Sequence, residues 1–313
     1  MPNKPTTPNN TGEFHLTDIS LSEIVSFIDW RFFFHAWRLT GKYDGIETVC
    51  DCASCKTGWL QSFDEKDRPK AEEALKLFRD AREMLRQFQE DKTIKINAAY
   101  SINHAFAAND DIIIQTENQT IKIPTLRQQQ PSSDGFCYCL ADFLSEKDDY
   151  VGTFVTTVTG AEELAAIFEK GDDMYQSILV KTLSDRLAEA SAEWLHYKIR
   201  KEYWGYTPDE NLTMEDMLKT KYSGIRPAIG YPSLPDQSII FELEPLLHFS
   251  RVGVKLTENG AMYPNASVCG LYFAHPLSKY FMIGKIDENQ LADYARRRGK
   301  TTTEMRKWLA ANI

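Results

Sequence analysis

Cysteine is scarce, and the scarcity excludes a class. Six in 313 residues cannot supply the dense disulfide framework of a small secreted scaffold. Long apolar runs are missing as well. No stretch approaches the roughly 18–20 residues of a membrane span, and the opening MPNKPTTPNN has no apolar core of a secretory signal. Positive charge is in deficit: Lys+Arg 36 against Asp+Glu 45 leaves −9 at pH 7. A net anion repels phosphate backbones, which argues against general nucleic-acid binding. No GxGxxG, HExxH or GxSxG occurs. These absences predict a cytoplasmic protein with no membrane and no nucleic-acid partner. What is present, 42% hydrophobic and 26% charged residues, is the composition of a globular chain long enough to bury a core.

The pattern along the chain mixes helices with hairpins. Residues 1–15 are polar and read as a flexible tail, and 16–313 as one domain. Leu21 to Trp37 reads as a buried helix, and Asp44 to Asp67 as an irregular excursion. Pro69 to Glu90 carries a helical apolar stripe through Ala74, Leu77, Phe78, Ala81, Leu85 and Phe88. Ile112–Thr116 and Thr120–Leu126 read as a hairpin, and Tyr150–Thr159 as a strand that Gly160 ends. A helix over Ala161–Lys170 and a long one over Asp172–Tyr203 follow. Thr213 with Asp216 caps a short helix, and Ser238–Leu247 reads as another. Val252–Thr257, Ser267–His275 and Tyr280–Asp287 are predicted strands, and Glu288–Arg298 and Thr302–Ala311 closing helices. Regular βαβ alternation is missing, so an α+β fold with a mainly antiparallel sheet is expected.

The segment 222–237, YSGIRPAIGYPSLPDQ, cannot form a regular element. Its prolines hold it extended, with backbone groups unpaired within the loop. Gly230 allows close approach to the backbone, and the Arg226 guanidinium can fork onto a carboxylate. The plain alternative is a surface loop pinned by prolines. Cys50-Asp51-Cys52-Ala53-Ser54-Cys55 places three thiols within six residues, enough to suggest zinc or a cluster. A closed zinc site needs a fourth ligand, and none lies nearby. The three are therefore expected to be reduced and free of metal. Gly299-Lys300-Thr301 lacks the glycine context of a P-loop, and Arg296-Arg297-Arg298 reads as the cationic end of a helix.

GIRPAIGYPSLPD resembles the RPAxGYPxxPD/E signature of the activation domain of cobalamin-dependent methionine synthase. The similarity runs in order along roughly residues 16–313. It includes Phe27-Ile28-Asp29-Trp30 with Gly41-Lys42-Tyr43, Cys139-Leu140-Ala141-Asp142-Phe143, Leu183 to His196 with Tyr203-Trp204-Gly205-Tyr206, His275-Pro276 with Ser278-Lys279-Tyr280, and Asp293-Tyr294-Ala295-Arg296-Arg297. The resemblance implies an S-adenosylmethionine site at Asp29, Glu189, Arg226, Ala228, Gly230, Tyr231, Tyr280 and Phe281. Phe281 stands where the family often has a second tyrosine, Ile229 where it has a second proline, and Gln237 where it has a histidine.

By that resemblance the protein is expected to be a reactivation module of the methyltransferase. It would bind S-adenosylmethionine and support reductive methylation of cob(II)alamin held by a separate methionine synthase core. A flavodoxin-like or other one-electron reductant would be the second partner. No catalytic or metal-ligating residue is expected on this chain, and the lack of a DxHxxG-like cobalamin motif implies either action in trans on a separate cobalamin-bearing protein or a piece of a longer chain. Two other readings compete: a non-catalytic S-adenosylmethionine-binding corrinoid-handling or regulatory protein, and a redox or metal protein built on Cys50, Cys52 and Cys55.

Overall fold

A computed structural model describes residues 4–313. The chain opens with β1 (Gly12–Ile19), short helix α1 (Leu21–Ile24) and α2 (Trp30–Ala36). Next come α3 (Ala53–Gln61), α4 (Arg68–Asp91), β2 (Lys95–Ala108), β3 (Asp111–Gln115), β4 (Thr120–Pro124) and β5 (Asp149–Thr159). The second half holds α5 (Ala161–Lys170), α6 (Met174–Lys198), α7 (Met214–Leu218), α8 (Ile240–Leu247), β6 (Lys255–Leu256), β7 (Met262–Tyr263), β8 (Ser267–Tyr272), α9 (Glu288–Arg298) and α10 (Thr302–Trp308). The fold is α+β, as expected.

One antiparallel sheet organises the molecule in the order β4-β3-β2-β5-β8, with β1 also paired to β2. The 14-residue β2 is long enough to take β1 along residues 96–102 and β3 along 104–108 on one edge, and β5 on the other. Side chains alternate across a strand, and here both faces are covered. Phe154 and Val158 of β5 face one core, shared with α1, α2, α4 and α6. Val151 and Val155 face the other, shared with α8, α9 and α10. The stripe predicted on α4 lies buried as drawn. Helix α6 packs on the sheet, where Thr156 Oγ1 donates to the Ala188 carbonyl at 3.2 Å.

Several expectations need correction. The tail reading fails from Thr6 onward: the Trp204 indole donates to the Thr6 carbonyl, and the Asn9 and Asn10 amides donate to Trp204 and Tyr203. Backbone groups of the segment and the Asn9 side-chain amide, which donates to the Glu202 carbonyl at 2.8 Å, do this anchoring, so a polar composition does not prevent it. Strand β1 begins at Gly12, inside the predicted tail, while residues 1–3 lie outside the described part. The opening helix is interrupted, because Ile28 is extended and Asp29 restarts the chain as the N-cap of α2. The excursion over 44–67 contains α3. The strand read over Val252–Thr257 shrinks to β6, and Tyr280–Asp287 forms no strand. The Arg run does more than balance a dipole: Arg297 pairs with Asp111 on β3, and Arg298 with Asp236 and Glu242. Among the described residues no helix is long and apolar enough to cross a membrane.

Candidate functional site

The proline-rich loop follows β8 as an irregular edge. Ile225 exchanges two backbone hydrogen bonds of 3.0 Å with Phe273, the Leu271 amide donates to the Pro227 carbonyl at 3.0 Å, and the Ile229 amide to Cys269 at 2.9 Å. Much of the backbone expected to be unpaired is thus paired with the sheet, while the prolines stop a continuous ladder. Ala228 is among those left unpaired. Its N–H has no partner among the described residues. The close approach needs Gly270, because a Cβ there would sit 2.3 Å from the Pro227 oxygen. Gly230 has φ +82° and donates to the Leu234 carbonyl at 2.8 Å, closing a turn that exposes Tyr231.

Arg226 lies at the centre of this arrangement. Its Nη2 donates to Glu193 Oε2 at 2.9 Å and its backbone amide to the Tyr280 hydroxyl at 3.0 Å. The side chain is largely buried, at 15% exposed. Burial works against its charge, yet Glu193 beside it prevails and holds its pKa well above the ordinary value. Nη1 makes no hydrogen bond among the described residues. Glu193 was not singled out from sequence. The available signal was spacing: it lies four residues after Glu189, on the same face of α6.

Behind this pair lies a buried polar layer. Arg200, fully buried in the π-helical turn that extends α6, makes a bidentate pair with Glu210 (2.9 and 2.8 Å) and covers the Tyr222 ring at 4.2 Å. His196 is also fully buried, stacked on Tyr272 and 3.1 Å from the Tyr206 hydroxyl. Burial, reinforced by Arg200 and Arg226, pushes its pKa well below the usual value, so it stays neutral.

Glu189 Oε1 accepts from the Tyr231 hydroxyl at 2.6 Å. Burial and Glu189 raise the pKa of that phenol, which keeps it a donor. Tyr231 is 50% exposed and Tyr280 43%. Phe281 turns the other way, into the core against Tyr138 and Phe143, and offers no ring to the open face. Asp29 stands apart from the loop. Its carboxylate caps α2 by accepting from the Arg31 amide, and both oxygens also bind the Arg31 guanidinium (2.9 and 2.6 Å). It lines a groove of about 1450 Å³ that also reaches Tyr43, Arg82 and Met214 but none of residues 226–231. On the same side, the exposed Phe32 ring of α2 lies 6.0 Å from the guanidinium carbon of Arg186 on α6. The structure therefore brings Glu189, Arg226, Ala228, Gly230, Tyr231 and Tyr280 together, and leaves Asp29 on the flank. Elsewhere, Cys50, Cys52 and Cys55 have sulfurs all within 4.8 Å of one another.

Residues 20–299 match the protein family described as "Vitamin B12 dependent methionine synthase, activation domain". Among solved structures, the chain is similar to the "MetH Reactivation Domain bound to AdoHcy". The two share 39% identity with a TM-score of 0.88, over 99% of this chain and 93% of that one.

Proposed function

The chain belongs to the activation-domain family of vitamin B12-dependent methionine synthase, and from that premise we propose that it binds S-adenosylmethionine and presents the donor methyl to a cobalamin held by a partner module. The observation that carries this reading is Arg226, a buried cation with Nη2 committed to Glu193 and Nη1 left without a protein partner. A ligand carboxylate is the chemistry that completes such a fork. The similar domain in complex with AdoHcy, a molecule with the same amino-acid end, supports it.

Each residue then has a task. Arg226 takes the carboxylate. Glu189, already oriented by Tyr231, supplies negative charge for the ammonium or sulfonium, whereas Asp29, on the flank with both oxygens on Arg31, reaches the ligand only by giving up that pair. The free Ala228 amide faces the need of an adenine nitrogen for a donor, and the half-exposed Tyr280 ring can stack on the base. Gly230 holds the turn that presents Tyr231, and Phe281 backs the loop from the core.

The chemistry itself is the donor's and the cobalamin's. A sulfonium is already an activated methyl donor, so what the protein adds is positioning and exclusion of water. No proton needs to move at a residue of this chain. In the proposed cycle a one-electron reductant, flavodoxin-like or other, reduces the partner's cobalamin while this module holds the methyl donor in reach. The test is reconstitution. The chain, S-adenosylmethionine and a reductant are added to an inactive cob(II)alamin-bearing methionine synthase core supplied as a separate polypeptide, and the visible spectrum and turnover are followed. Recovery of activity that depends on this chain supports the reading and action in trans. Tight ligand binding without recovery would favour the regulatory alternative.

A further inference from the structure

We propose that Cys50, Cys52 and Cys55 form a three-thiolate site for one thiophilic d¹⁰ metal ion, zinc(II) or copper(I), with one coordination position open to solvent. Cysteine is among the residue types most often buried, yet these three are all exposed while Cys139 and Cys269 are buried. The fold brings them to one point. Cys52 caps α3, its sulfur accepts from the Cys55 amide at 3.3 Å, and it lies 2.9 Å from the Cys50 sulfur. Metal–sulfur bonds of about 2.3 Å place the sulfurs of one coordination sphere roughly 3.8 Å apart. A triangle whose members all lie within 4.8 Å reaches that geometry with small side-chain rotations.

A closed tetrahedral centre needs four ligands. A site with an open position, or a three-coordinate copper(I), needs only three. Soft thiolates select these two ions from the common divalent and monovalent metals. Charge is also provided for. Three thiolates carry an excess of negative charge over either ion, and Arg79 on α4 holds this loop, with Nη2 on the Cys50 carbonyl and Nε on Asp51, both at 3.1 Å. The N-terminus of α3 adds its partial positive charge.

A second observation gives the ion a structural task. Helix α3 has no fully buried residue. Its contacts are marginal: Trp59 and Leu60 are only partly buried against the core, Trp59 donates to the Asp44 carbonyl at 3.0 Å, and Lys56 pairs with Glu72 on α4 at 2.6 Å. A metal that joins the irregular entry at Cys50 to the first turn at Cys55 adds a cross-link to this partly buried helix.

The experiment uses the full chain, reduced and stripped with chelator. It is titrated with zinc(II) against a chromophoric chelator and, without oxygen, with copper(I) against a copper(I)-specific one. Cobalt(II) serves as a spectroscopic probe of thiolate coordination. One equivalent should bind, with cobalt–thiolate charge-transfer bands. Cys52→Ser should weaken binding by more than the roughly 10–100-fold that loss of a supporting contact costs, whereas Cys137→Ser should leave it unchanged. Exposed serines do not threaten folding, and unchanged S-adenosylmethionine binding in Cys52→Ser keeps this test separate from the proposed function. Tighter zinc(II) binding assigns zinc, and tighter copper(I) binding assigns copper. Equal weak binding by wild type and the Cys50/Cys52/Cys55→Ser triple variant overturns the site.

Discussion

Glu193 on α6 and Arg226 on the proline-rich loop share a 2.9 Å hydrogen bond at a site where little of either side chain reaches water. The long helix therefore provides the counter-charge that lets a cation sit beneath the loop. Glu189, one turn earlier, holds Tyr231 in the same way. Two carboxylates of one helix face thus orient two residues of one loop.

Removing half of a desolvated pair is costly because the other charge stays buried. Glu193→Ala should destabilise the protein by about 3 kcal/mol and weaken S-adenosylmethionine binding, with Glu193→Asp intermediate in both. Urea denaturation and calorimetry are the measurements. A variant as stable as wild type with unchanged affinity would show that Arg226 does not depend on this partner.

Arg226→Ala should lose about 1.5–3 kcal/mol of ligand affinity, the scale of a charge-assisted hydrogen bond. Arg226→Lys should recover little of it, because a point charge cannot serve Glu193 and a ligand carboxylate through one planar fork. Full recovery by lysine would argue that only the charge matters.

Gly270→Ala tests the close pairing of loop and sheet. The added Cβ would meet the Pro227 oxygen at 2.3 Å and the Ala228 Cα at 2.8 Å, and neither can rotate away. The loop should lift from β8, with a stability loss of about 1–3 kcal/mol and loss of ligand binding. Wild-type binding by this variant would detach the site from that register.

Tyr231 divides two functions. Tyr231→Phe removes the hydroxyl bond to Glu189 and should cost affinity modestly, by about 1 kcal/mol. Tyr231→Ala also removes a half-exposed ring and should reduce reactivation of the cobalamin-bearing core far more than it reduces ligand affinity. Equal losses in both assays would place Tyr231 wholly inside the ligand pocket.

His196 predicts a pH dependence. Its pKa in the folded chain lies well below the model-compound value of 6.5, owing to burial and then to Arg200 and Arg226. Below that value the unfolded chain takes up a proton that the folded chain refuses, so stability falls as pH drops below about 6.5. Above it, both states are neutral and the effect vanishes. His196→Gln should flatten this part of the profile in chemical denaturation at a series of pH values. An unaltered slope between wild type and variant would remove His196 as its source.

Sequence alone determined the elements whose signals are local. The stripe of α4, the β3–β4 hairpin, the Thr213 cap and the limits of α5 and α9 follow from side-chain period, capping residues and glycine breaks, and each such signal acts within a few residues. The irregular loop and its Arg226 were legible for the same reason, and the resemblance supplied their ligand. Tertiary structure decided what depends on distant partners. Strand β2 shows no clean alternation because its Tyr100 and Ala99 face two different apolar cores. The 280–287 segment is rich in strand formers, but its partners are scattered, the Ile283 amide on the Pro232 carbonyl and the Ile286 amide on Asn312, so no regular ladder forms. Tyr280 was separated from Phe281 by which side of the loop the second core occupies. Glu193 became the partner of Arg226 only because α6 passes beneath β8 and its loop, a relation between residues 33 positions apart. Hydrogen bonding and burial over such separations are set by packing, which the local pattern of side chains does not encode.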